Sequence, residues 1–410
     1  MANTLLTPTM VTREALRVLH QKLNFVGNVN RQYDDAFAKK GAKIGTALNI
    51  RLPNQYTVRS GPTMGTSPTV DTTESSVQLN VTNQKGVDLN FTSVDLTMAL
   101  DDFSDRIIQP AMAVLAANIE SDAMNNMIND VYQQATGTGP GLPVTFNVVL
   151  QARKILNDSL APMDNKRCCS LNTQDNIDLV DALKGLFQDS DSIADQYTEG
   201  MMGRTAGFNF YENTLWATHT VGTKAGAGAV NGASQTGSSL VTNGWTASSA
   251  ILKKGDIITI AGVNKVHPET KVAITGATPT PIQQFVVTAD TSSDGSGNAT
   301  IPISPAIVVT GPAQNVTGSP ANAAAITVAG TASTAHGISM AFHRDAFVFA
   351  TADLEMPYGV DWASRQVLDG ISMRIVRAYD INNDKFPCRL DVLYGYKTVR
   401  PQLACRLANR

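Results

Sequence analysis

The stretch from Leu100 to Ala135 constrains the fold more than any other part of this chain. Its apolar residues recur at steps of three or four, which places one stripe along one side of an α-helix. The stripe consists of Ile108, Met112, Leu115, Ile119, Ala123, Met127 and Val131. Because proline removes a backbone hydrogen bond, we expect the helix to begin near Gln109 or to kink at Pro110. Such a helix would extend roughly 40 Å, and it fits either a helical bundle or a spine across an extended subunit.

The composition indicates a folded protein whose surface is poor in charge. The chain has 410 residues, of which 43% are hydrophobic, so it is long enough for two or three domains with substantial cores. Only 16% of the residues are charged, against roughly 25% in a typical soluble domain, and the formal net charge is -3. The low charge suggests a surface that neighbours cover. The lack of a basic excess argues against a dedicated nucleic-acid binder.

The N-terminus and the cysteines favour a reducing cytoplasm. The first twenty residues lack the basic and apolar regions of a signal peptide. No apolar run reaches the ~18 residues that a membrane span requires, so no membrane partner is expected. The four cysteines show no C-x-x-C spacing and are expected to be reduced thiols; they are Cys168, Cys169, Cys388 and Cys405.

Two extended segments precede the long helix. Thr46 to Leu52 and Gln55 to Val58 have strand character, and Val77 to Thr82 alternates apolar and polar residues. The intervening stretch from Ser60 to Pro68 has turn chemistry. Together they predict a long projecting hairpin, which would need another surface to lie on. Near the N-terminus, Thr12 to Leu23 predicts a short amphipathic helix, which either docks elsewhere as an arm or packs on its own domain.

The segments that follow the long helix predict a mixed α/β layer. Thr145 to Leu160 and Thr173 to Phe187 have helical spacing, and the short apolar run from Cys168 to Leu171 between them predicts a buried strand. Further strands are predicted towards the C-terminus: Arg344 to Ala352, Ile371 to Tyr379, Arg389 to Val399 and Leu403 to Leu407.

The composition changes sharply at about His219. No Asp, Glu, Lys or Arg occurs from Ala225 to Leu252 or from Gly295 to His343, where Gly, Ala, Thr, Ser and Val dominate. Short strand-like runs between turn signals predict an inserted all-β module, a barrel or a sandwich; the runs lie at 257–260, 272–275, 285–288 and 306–309. Gly226 to Asn231 lacks the third glycine and the following helix of a phosphate loop, so we interpret it as a flexible loop.

No motif for catalysis is present. The sequence lacks His-Glu-x-x-His, a P-loop lysine and a complete serine elbow. The acidic run from Asp189 to Glu199 lacks the residue order of a calcium loop, which favours a solvated loop. We interpret the five scattered histidines as structural: His20, His219, His267, His336 and His343. The sequence therefore predicts no catalytic, cofactor-binding or metal-binding residue, and the chain is not expected to be an enzyme.

Four short stretches carry a resemblance to a known family. They are Phe91 to Leu96 leading into Asp101 to Ser104, Gly203 to Phe208, Lys253 to Val263, and Tyr394 to Pro401. In their order and spacing they resemble the HK97-type major capsid protein. Within that group the chain is most similar to the coat protein of the short-tailed Salmonella phage group, whose subunits carry an inserted β-barrel domain.

The resemblance implies an α+β fold of the HK97 type with an inserted all-β barrel domain. The implied parts are an N-terminal arm (1–43), an E-loop (44–82), a peripheral domain with the spine helix (83–144), an axial domain (145–218), the inserted barrel (219–336), the return of the axial domain (337–365) and the C-terminal strands of the peripheral domain (366–410).

The same resemblance implies the major capsid protein of a tailed bacteriophage. Copies would assemble into pentamers and hexamers of an icosahedral shell, which encloses double-stranded DNA without sequence-specific binding. A scaffolding protein and a portal protein would be partners, no cofactor is implied, and assembly would take place in the host cytoplasm before the protein resides in the virion. Two alternatives stay open. An encapsulin-like compartment would share the fold, and a β-rich adhesin or glycan-active protein would explain the insertion but not the long helix.

Overall fold

The computed structural model describes residues 23–32, 47–58, 61–62, 74–92, 109–135, 143–183, 203–274, 280–368 and 371–408. Most of the predicted N-terminal helix, most of the hairpin tip and the whole acidic run at 189–199 lie outside these residues. The chain divides into two compact units. The first unit comprises Met1–Ile50, Val77–Met124 and Phe347–Val399, and the second comprises Arg51–Ser76, Asn125–Ala346 and Arg400–Arg410.

The described residues form four α-helices and 23 strands. The helices are α1 (Asn24–Gly27), α2 (Gln109–Met127), α3 (Phe146–Asp158) and α4 (Thr173–Leu183). The first strands are β1 (Ala47–Arg51), β2 (Ser76–Asn80), β3 (Asn83–Thr92), β4 (Gln134–Ala135), β5 (Arg167–Leu171), β6 (Arg204–Thr205), β7 (Phe208–Glu212), β8 (Thr218–Thr220), β9 (Gly226–Val230), β10 (Gly237–Trp245), β11 (Ala250–Leu252) and β12 (Ile257–Asn264). The others are β13 (Ile282–Val287), β14 (Thr291–Ser292), β15 (Ala299–Ile307), β16 (Ile326–Val328), β17 (Ala335–Gly337), β18 (Ser339–His343), β19 (Phe347–Ala352), β20 (Trp362–Leu368), β21 (Ile371–Arg377), β22 (Lys385–Thr398) and β23 (Ala404–Leu407).

The first unit is built on an antiparallel five-stranded sheet. Its central strand is β22, which pairs with β3 along one edge and with β21 and β19 along the other, while β20 adds to β21. Three of these strands were predicted: β21 and β22 from their alternation, and β19 from its apolar run. The observed β19 is shorter than predicted, because Arg344–Ala346 form a 3-10 turn before the strand begins at Phe347.

Helix α2 confirms the predicted start of the long helix and the burial of its apolar stripe. It begins at Gln109, so Pro110 lies in the first turn, where a missing N–H costs nothing. The described stripe residues are buried, from Met112 to Ala123 and on to Met127. Within the first unit the helix also makes polar contacts: the Tyr394 hydroxyl donates to Asp122 Oδ2 at 2.7 Å, and Glu120 Oε1 accepts from a backbone N–H of the N-terminal segment at 2.8 Å.

The predicted C-terminal end of this helix is wrong. The chain leaves the α-helix after Met127, forms a 3-10 turn at Ile128–Asp130 and continues extended into β4. The backbone hydrogen bonds of this segment go to a sheet instead of to a helix. Strand β4 pairs in parallel with β23, and Gln133 O accepts from Arg406 N at 2.8 Å. The helix is therefore about 28 Å long, shorter than predicted, although Val131 is buried as its place in the stripe suggested.

The second unit contains a mixed six-stranded sheet in the order β4-β23-β18-β5-β7-β6. Helices α3 and α4 pack on it, and α3 buries Val148, Val149, Ala152 and Leu156. Strand β5 is buried along its whole length. The predicted α/β layer is thus confirmed. Helix α3 ends at Asp158, slightly before the predicted Leu160, and residues 184–187 of the second predicted helix lie outside the described residues.

Residues 221–334, which we call the β module, contain only strands and turns where they are described. Six strands form one sheet in the order β16-β12-β13-β15-β10-β9 around an apolar core that includes Leu240, Phe285 and Ile301. The two ends of this sheet also meet. Val230 N donates to Ala324 O at 3.0 Å, and Ala323 N donates to Val230 O at 2.8 Å.

Two predictions inside the β module are wrong. Gly226 to Asn231 is not a flexible loop, because Gly226–Val230 form β9 beside β10. A Cβ on Gly228 would overlap the indole ring of Trp245, so glycine lets this strand lie flat against a buried tryptophan. The predicted strand at 272–275 is reduced to a single bridge between Val266 and Ala273, since Lys271 adopts a left-handed φ of 58°.

Strands β1 and β2 form a separate two-stranded sheet, as predicted for the base of the hairpin. The predicted continuation of the strand at Gln55 to Val58 is wrong. Residues 52–58 contain no strand and expose Tyr56 and Val58. Gln55 to Val58 follow Pro53, which cannot donate a hydrogen bond to a neighbouring strand.

The domain boundaries that the resemblance implies stay predictions, and the compact units change at other residues. The predicted change at 365/366 has no counterpart in the contacts, whereas the chain passes between units at 346/347 and again at 399/400. The reason is that β19 joins the five-stranded sheet directly after β18 ends in the six-stranded one.

Substitution of Leu115 by aspartate tests the buried stripe of α2. Leu115 is 2% exposed, so Leu115→Asp would place a charge under the helix at a cost of several kcal/mol. We expect no folded protein, measured by circular dichroism and yield in the non-aggregated fraction. The neighbour Val114 is 65% exposed, and Val114→Asp should fold normally. An L115D protein with the melting temperature of the parent would contradict the packing described for α2.

Candidate functional site: the seam of the β module

Chain connectivity attaches the β module to the rest of the second unit through two short strands. Strands β8 and β17 pair antiparallel and bring the chain into and out of the module; we call this pair the stem. We call the remaining described residues of the second unit outside 218–337 the α/β body. The contacts between the module and the body, other than the stem, form the seam.

The apolar part of the seam is a small cluster. Tyr132 of the body packs against Ile257 and Val286 of the module, with Ala329 at its border. Burial raises the pKa of the Tyr132 hydroxyl above its usual value. Tyr132 lies between the end of α2 and β4, so the segment that follows the long helix also provides the surface on which the module rests.

Two glutamines join the backbones on either side of the seam. Gln134 N donates to Gln284 Oε1 at 2.8 Å, and Gln284 Nε2 donates to Gln134 O at 3.0 Å. The side-chain amide thus satisfies both backbone groups of one residue, as a neighbouring strand would. Gln134 lies on β4 and Gln284 on β13, so the pair fixes one strand of the body against one strand of the module.

Lys265 crosses the seam as a partly buried cation. Its Nζ donates to Ser159 Oγ at 2.8 Å, and Ser159 caps the C-terminal end of α3. Burial lowers the pKa of Lys265 to about 8, while the nearby Asp158 carboxylate opposes this shift. A lysine held against a neutral hydroxyl keeps most of its desolvation cost at neutral pH.

Arg406 is the second cation at the seam. It lies on β23, is 1% exposed, and its Nη1 donates to Gly255 O of the module at 2.7 Å. Burial lowers its pKa to about 10, whereas Asp130 and Asp256 favour the charged form. The Nε and Nη2 atoms have no hydrogen-bond partner among the described residues. The arginine is thus held mainly by one carbonyl and by two carboxylates in its surroundings.

The structure brings together two of the four described histidines, His219 and His336, and separates His267 and His343 from them. His219 and His336 face each other across the stem. His343 is fully buried: its Nδ1 accepts from Asp345 N, so Nε2 carries the proton that is shared with Asp164 Oδ1 at 2.9 Å. Burial raises the pKa of Asp164, but hydrogen bonds from His343 and from the Lys166 N–H outweigh this and set it at about 2.

His267 lies in an exposed turn of the module, where Nδ1 accepts from two backbone N–H groups, and His20 lies outside the described residues. The four cysteines are free and buried, as expected for reduced thiols. Burial raises the pKa of Cys168 and Cys388 to about 11 and of Cys405 to about 12, and it raises that of Cys169 as well. The described thiols are therefore poor nucleophiles at neutral pH.

The rest of the described surface offers little to a cofactor or metal. No group of three or more histidines, cysteines or carboxylates close enough to hold a metal ion occurs in the described part of the chain. A shallow groove of about 440 Å³ on the first unit is lined by residues of β3, β21 and β22, among them Asp88, Val376, Pro387 and Arg389. Among the described helices none is long and apolar enough to cross a membrane.

Sequence reasoning missed the seam residues. Arg406 stands in a strand whose alternation predicts an exposed face, yet both faces of β23 are buried, and Lys265 lies just after the end of β12. The available signal was positional, because the histidines at 219 and 336 stand where the composition changes at each end of the insertion.

Replacing Lys265 by methionine tests the cost of the partly buried cation. The folded-state pKa of about 8 lies below the unfolded value of 10.5, so the penalty is complete below pH 8 and disappears as the pH rises towards 10.5. We expect Lys265→Met to raise the free energy of unfolding by about 1–3 kcal/mol at pH 7, with the gain vanishing near pH 10.5. Urea titrations of both proteins at several pH values measure this difference.

Lys254→Met is the matched control, because Lys254 is exposed. It should leave the free energy of unfolding nearly unchanged at every pH. A K265M protein that is no more stable than the parent at pH 7 would show that the Ser159 hydrogen bond offsets the desolvation of the lysine.

Comparison with known proteins places the chain in a family. The family model "P22 coat protein - gene protein 5" matches residues 3–406. No curated protein matches the chain. Among solved structures, similar chains occur in Mycobacterium phage Che8 (13% identity, 93% of this chain and 90% of that chain, TM-score 0.45) and in the capsid of the cyanophage P-SCSP1u (11%, 95% and 98%, 0.43). A third is found in the capsid of Ralstonia phage GP4 (7%, 93% and 87%, 0.45).

The family match extends over the body, the β module and the first unit alike, because it includes all but the first two and the last four residues. The chain therefore belongs to the P22 coat protein family, and it is a major capsid protein of a tailed bacteriophage.

Proposed function

We propose that copies of this chain assemble into the pentamers and hexamers of an icosahedral shell that encloses double-stranded DNA. Membership of a coat protein family over residues 3–406 supports self-association. The role proposed is structural, with no catalytic step. The shell would enclose DNA without reading its sequence, in keeping with a formal net charge of -3 and no basic excess.

The observation that carries this proposal is the exposure of apolar side chains on the segment after β1. Val58 is 97% exposed and Tyr56 is 63% exposed. The segment starts from a two-stranded sheet whose end is held by a hydrogen bond from Leu52 N to Ser75 O at 2.8 Å. An exposed ion pair between Arg51 and Glu74 contributes little. The sheet itself buries Ile50 and Leu79 within the subunit, so the exposed segment beyond it is what a neighbouring subunit would cover.

Other exposed apolar side chains lie on loops and helix surfaces of both units. In the first unit Tyr358 and Ile381 are at least 80% exposed. In the second unit Met163, Ile177 and Val272 are each more than 60% exposed. In a chain with few charges, contacts at these positions would avoid the desolvation cost of burying ions. Weak contacts of this kind become strong when a closed shell repeats them around its symmetry axes.

The finer assignment follows the HK97-type arrangement and the short-tailed Salmonella phage group. We assign β1, β2 and the segment between them to the E-loop, α2 to the spine helix, and the five-stranded sheet to the peripheral domain. The α/β body corresponds to the axial domain. The β module corresponds to the inserted barrel, and the hydrogen bonds between Val230 and the chain before β16 support closure of its sheet.

The remaining partners are proposed from the same family. A scaffolding protein would direct assembly in the host cytoplasm, and a portal protein would occupy one vertex of the shell. The finished protein would reside in the virion capsid.

The direct test is assembly of the full chain co-expressed with its scaffolding protein. Size-exclusion chromatography followed by negative-stain electron microscopy should show hollow particles of uniform diameter. A small oligomer at every concentration and with scaffolding protein present would refute the proposal.

Deletion of Arg59 to Asp71 tests the E-loop assignment. Because the deletion removes the tip and leaves β1 and β2, we expect a subunit with the circular dichroism spectrum and melting temperature of the parent. Shells should be reduced at least about tenfold in yield, since each lost contact is repeated throughout the particle.

The matched control replaces the same residues by a glycine-serine linker of equal length, which keeps the spacing but removes the side chains. It should fold and also assemble poorly. Normal yields of closed shells from the deleted chain would exclude this segment as the E-loop.

A further inference from the structure

The stem places two histidines directly opposite each other. His219 on β8 pairs with His336 on β17, flanked by the pairs Thr218 with Gly337 and Thr220 with Ala335. The two imidazole rings lie 5.5 Å apart between centroids at an angle of 79°. Directly opposed side chains in an antiparallel pair interact strongly, so charging both rings would be unfavourable.

Asp256 ties the stem to the β module. Its Oδ1 lies 2.8 Å from His219 Nε2, and its Oδ2 accepts from Gly222 N at 3.1 Å and from Lys253 N at 2.8 Å. The carboxylate side chain is completely buried. These three bonds join three places: His219 on β8, Gly222 shortly after β8, and the turn before β12.

Arg406 ties the α/β body to the same turn. Its Nη1 donates to Gly255 O, the residue next to Asp256. A Cβ on Gly255 would lie 2.7 Å from Asn129 Oδ1 and 3.2 Å from His219 Cε1, so the turn is in close contact with both the body and the stem. The stem, the turn and the C-terminal strand therefore meet at one point.

The charged groups facing His336 come from each of these elements. They are His219 across the stem, Arg406 on β23 and Asp256 in the turn. Gly330 also lies against the His336 ring, and its carbonyl accepts from Lys224 Nζ at 2.5 Å. The surroundings of His336 thus hold one fixed cation, Arg406, and one carboxylate, Asp256, that is already bonded to His219.

We propose that the stem is an acid-sensitive latch between the β module and the α/β body, closed at neutral pH and opened when mild acid protonates His336. Opening would separate β8 from β17. It would leave the Tyr132 cluster and the glutamine pair in place, because these seam contacts do not titrate in this range.

The direction follows from proton linkage. Burial, His219 and Arg406 lower the pKa of His336 from its usual 6.5 to about 4, while Asp256 opposes the shift. In an open stem the ring would return to its usual pKa. The closed stem is therefore fully stable above pH 6.5 and loses stability as the pH falls from 6.5 towards 4.

Hydrogen exchange of the full-length chain tests the latch. The amides of Val221 and Ser333 report on the stem, because Val221 N donates to Thr334 O and Ser333 N donates to Gly222 O. Protection factors are measured by mass spectrometry at pH 7.5, 6 and 5 and corrected for the intrinsic exchange rate. We expect the protection of the stem to fall about tenfold between pH 7.5 and 5, less than the full shift implies because the ring is partly exposed.

Two variants make the test specific. In His336→Gln the ring that titrates is absent, so stem protection should change less than about twofold over the same range. His267→Gln is the matched control, because His267 lies in the module but outside the stem; its stem should respond to acid as the parent does. Peptides covering β21 serve as an internal reference.

Stem protection in the parent chain that does not change with pH would overturn the proposal. An H336Q chain whose stem loses protection in acid as the parent does would also overturn it. If His336→Gln does not fold, His336→Asn takes its place. The pH dependence of the parent decides in either case, because a structural role for His336 alone predicts no change between pH 7.5 and 5.

Discussion

The hydrogen bonds of the C-terminal strand hold together parts of the second unit that are far apart in sequence. Strand β23 lies between β4, which continues from the long helix, and β18, which follows the β module. Its Arg406 also reaches Gly255 inside the module. None of these contacts can form before the last residues of the chain are in place. Contacts of such high sequence separation form slowly, so we infer that this sheet is completed late in folding.

Few charged side chains are buried among the described residues, and several of these lie within reach of an opposite charge. Asp391 is 1% exposed and is bonded by both Arg374 and Arg389, Asp256 accepts three hydrogen bonds, and Arg406 lies near two carboxylates. Lys265 is only partly buried; it donates to a neutral hydroxyl, and the Asp158 carboxylate lies nearby. Since an unpaired buried ion costs several kcal/mol, a chain that buries surface in every subunit contact of a shell is better served by neutral side chains.

Periodicity predicted those elements that a single buried face determines. The stripe of α2 and the alternation of β21 and β22 are of this kind, and Pro110 marked the start of the helix. It failed where another part of the chain decides the local structure. Val131 to Ala135 continue the helical stripe, but this segment leaves the helix and forms β4 at the edge of a sheet. Gly226–Val230 form a strand because Trp245 lies against Gly228. The seam could not be predicted, because Lys265 and Arg406 are distant in sequence from the residues they contact.

The β module is held by two attachments of different chemistry. The seam combines an apolar cluster, an amide pair and two cations, Lys265 and Arg406, and none of these gains a proton between pH 6.5 and 4. The stem consists of only three residue pairs, and its central pair can gain charge. A short stem with a titrating centre is the weaker attachment in acid, whereas the seam keeps the position of the module. Local opening at the stem would therefore separate the two connecting strands without detaching the module from the body. The covalent connection of the module and its docking surface are thus two different parts of the structure.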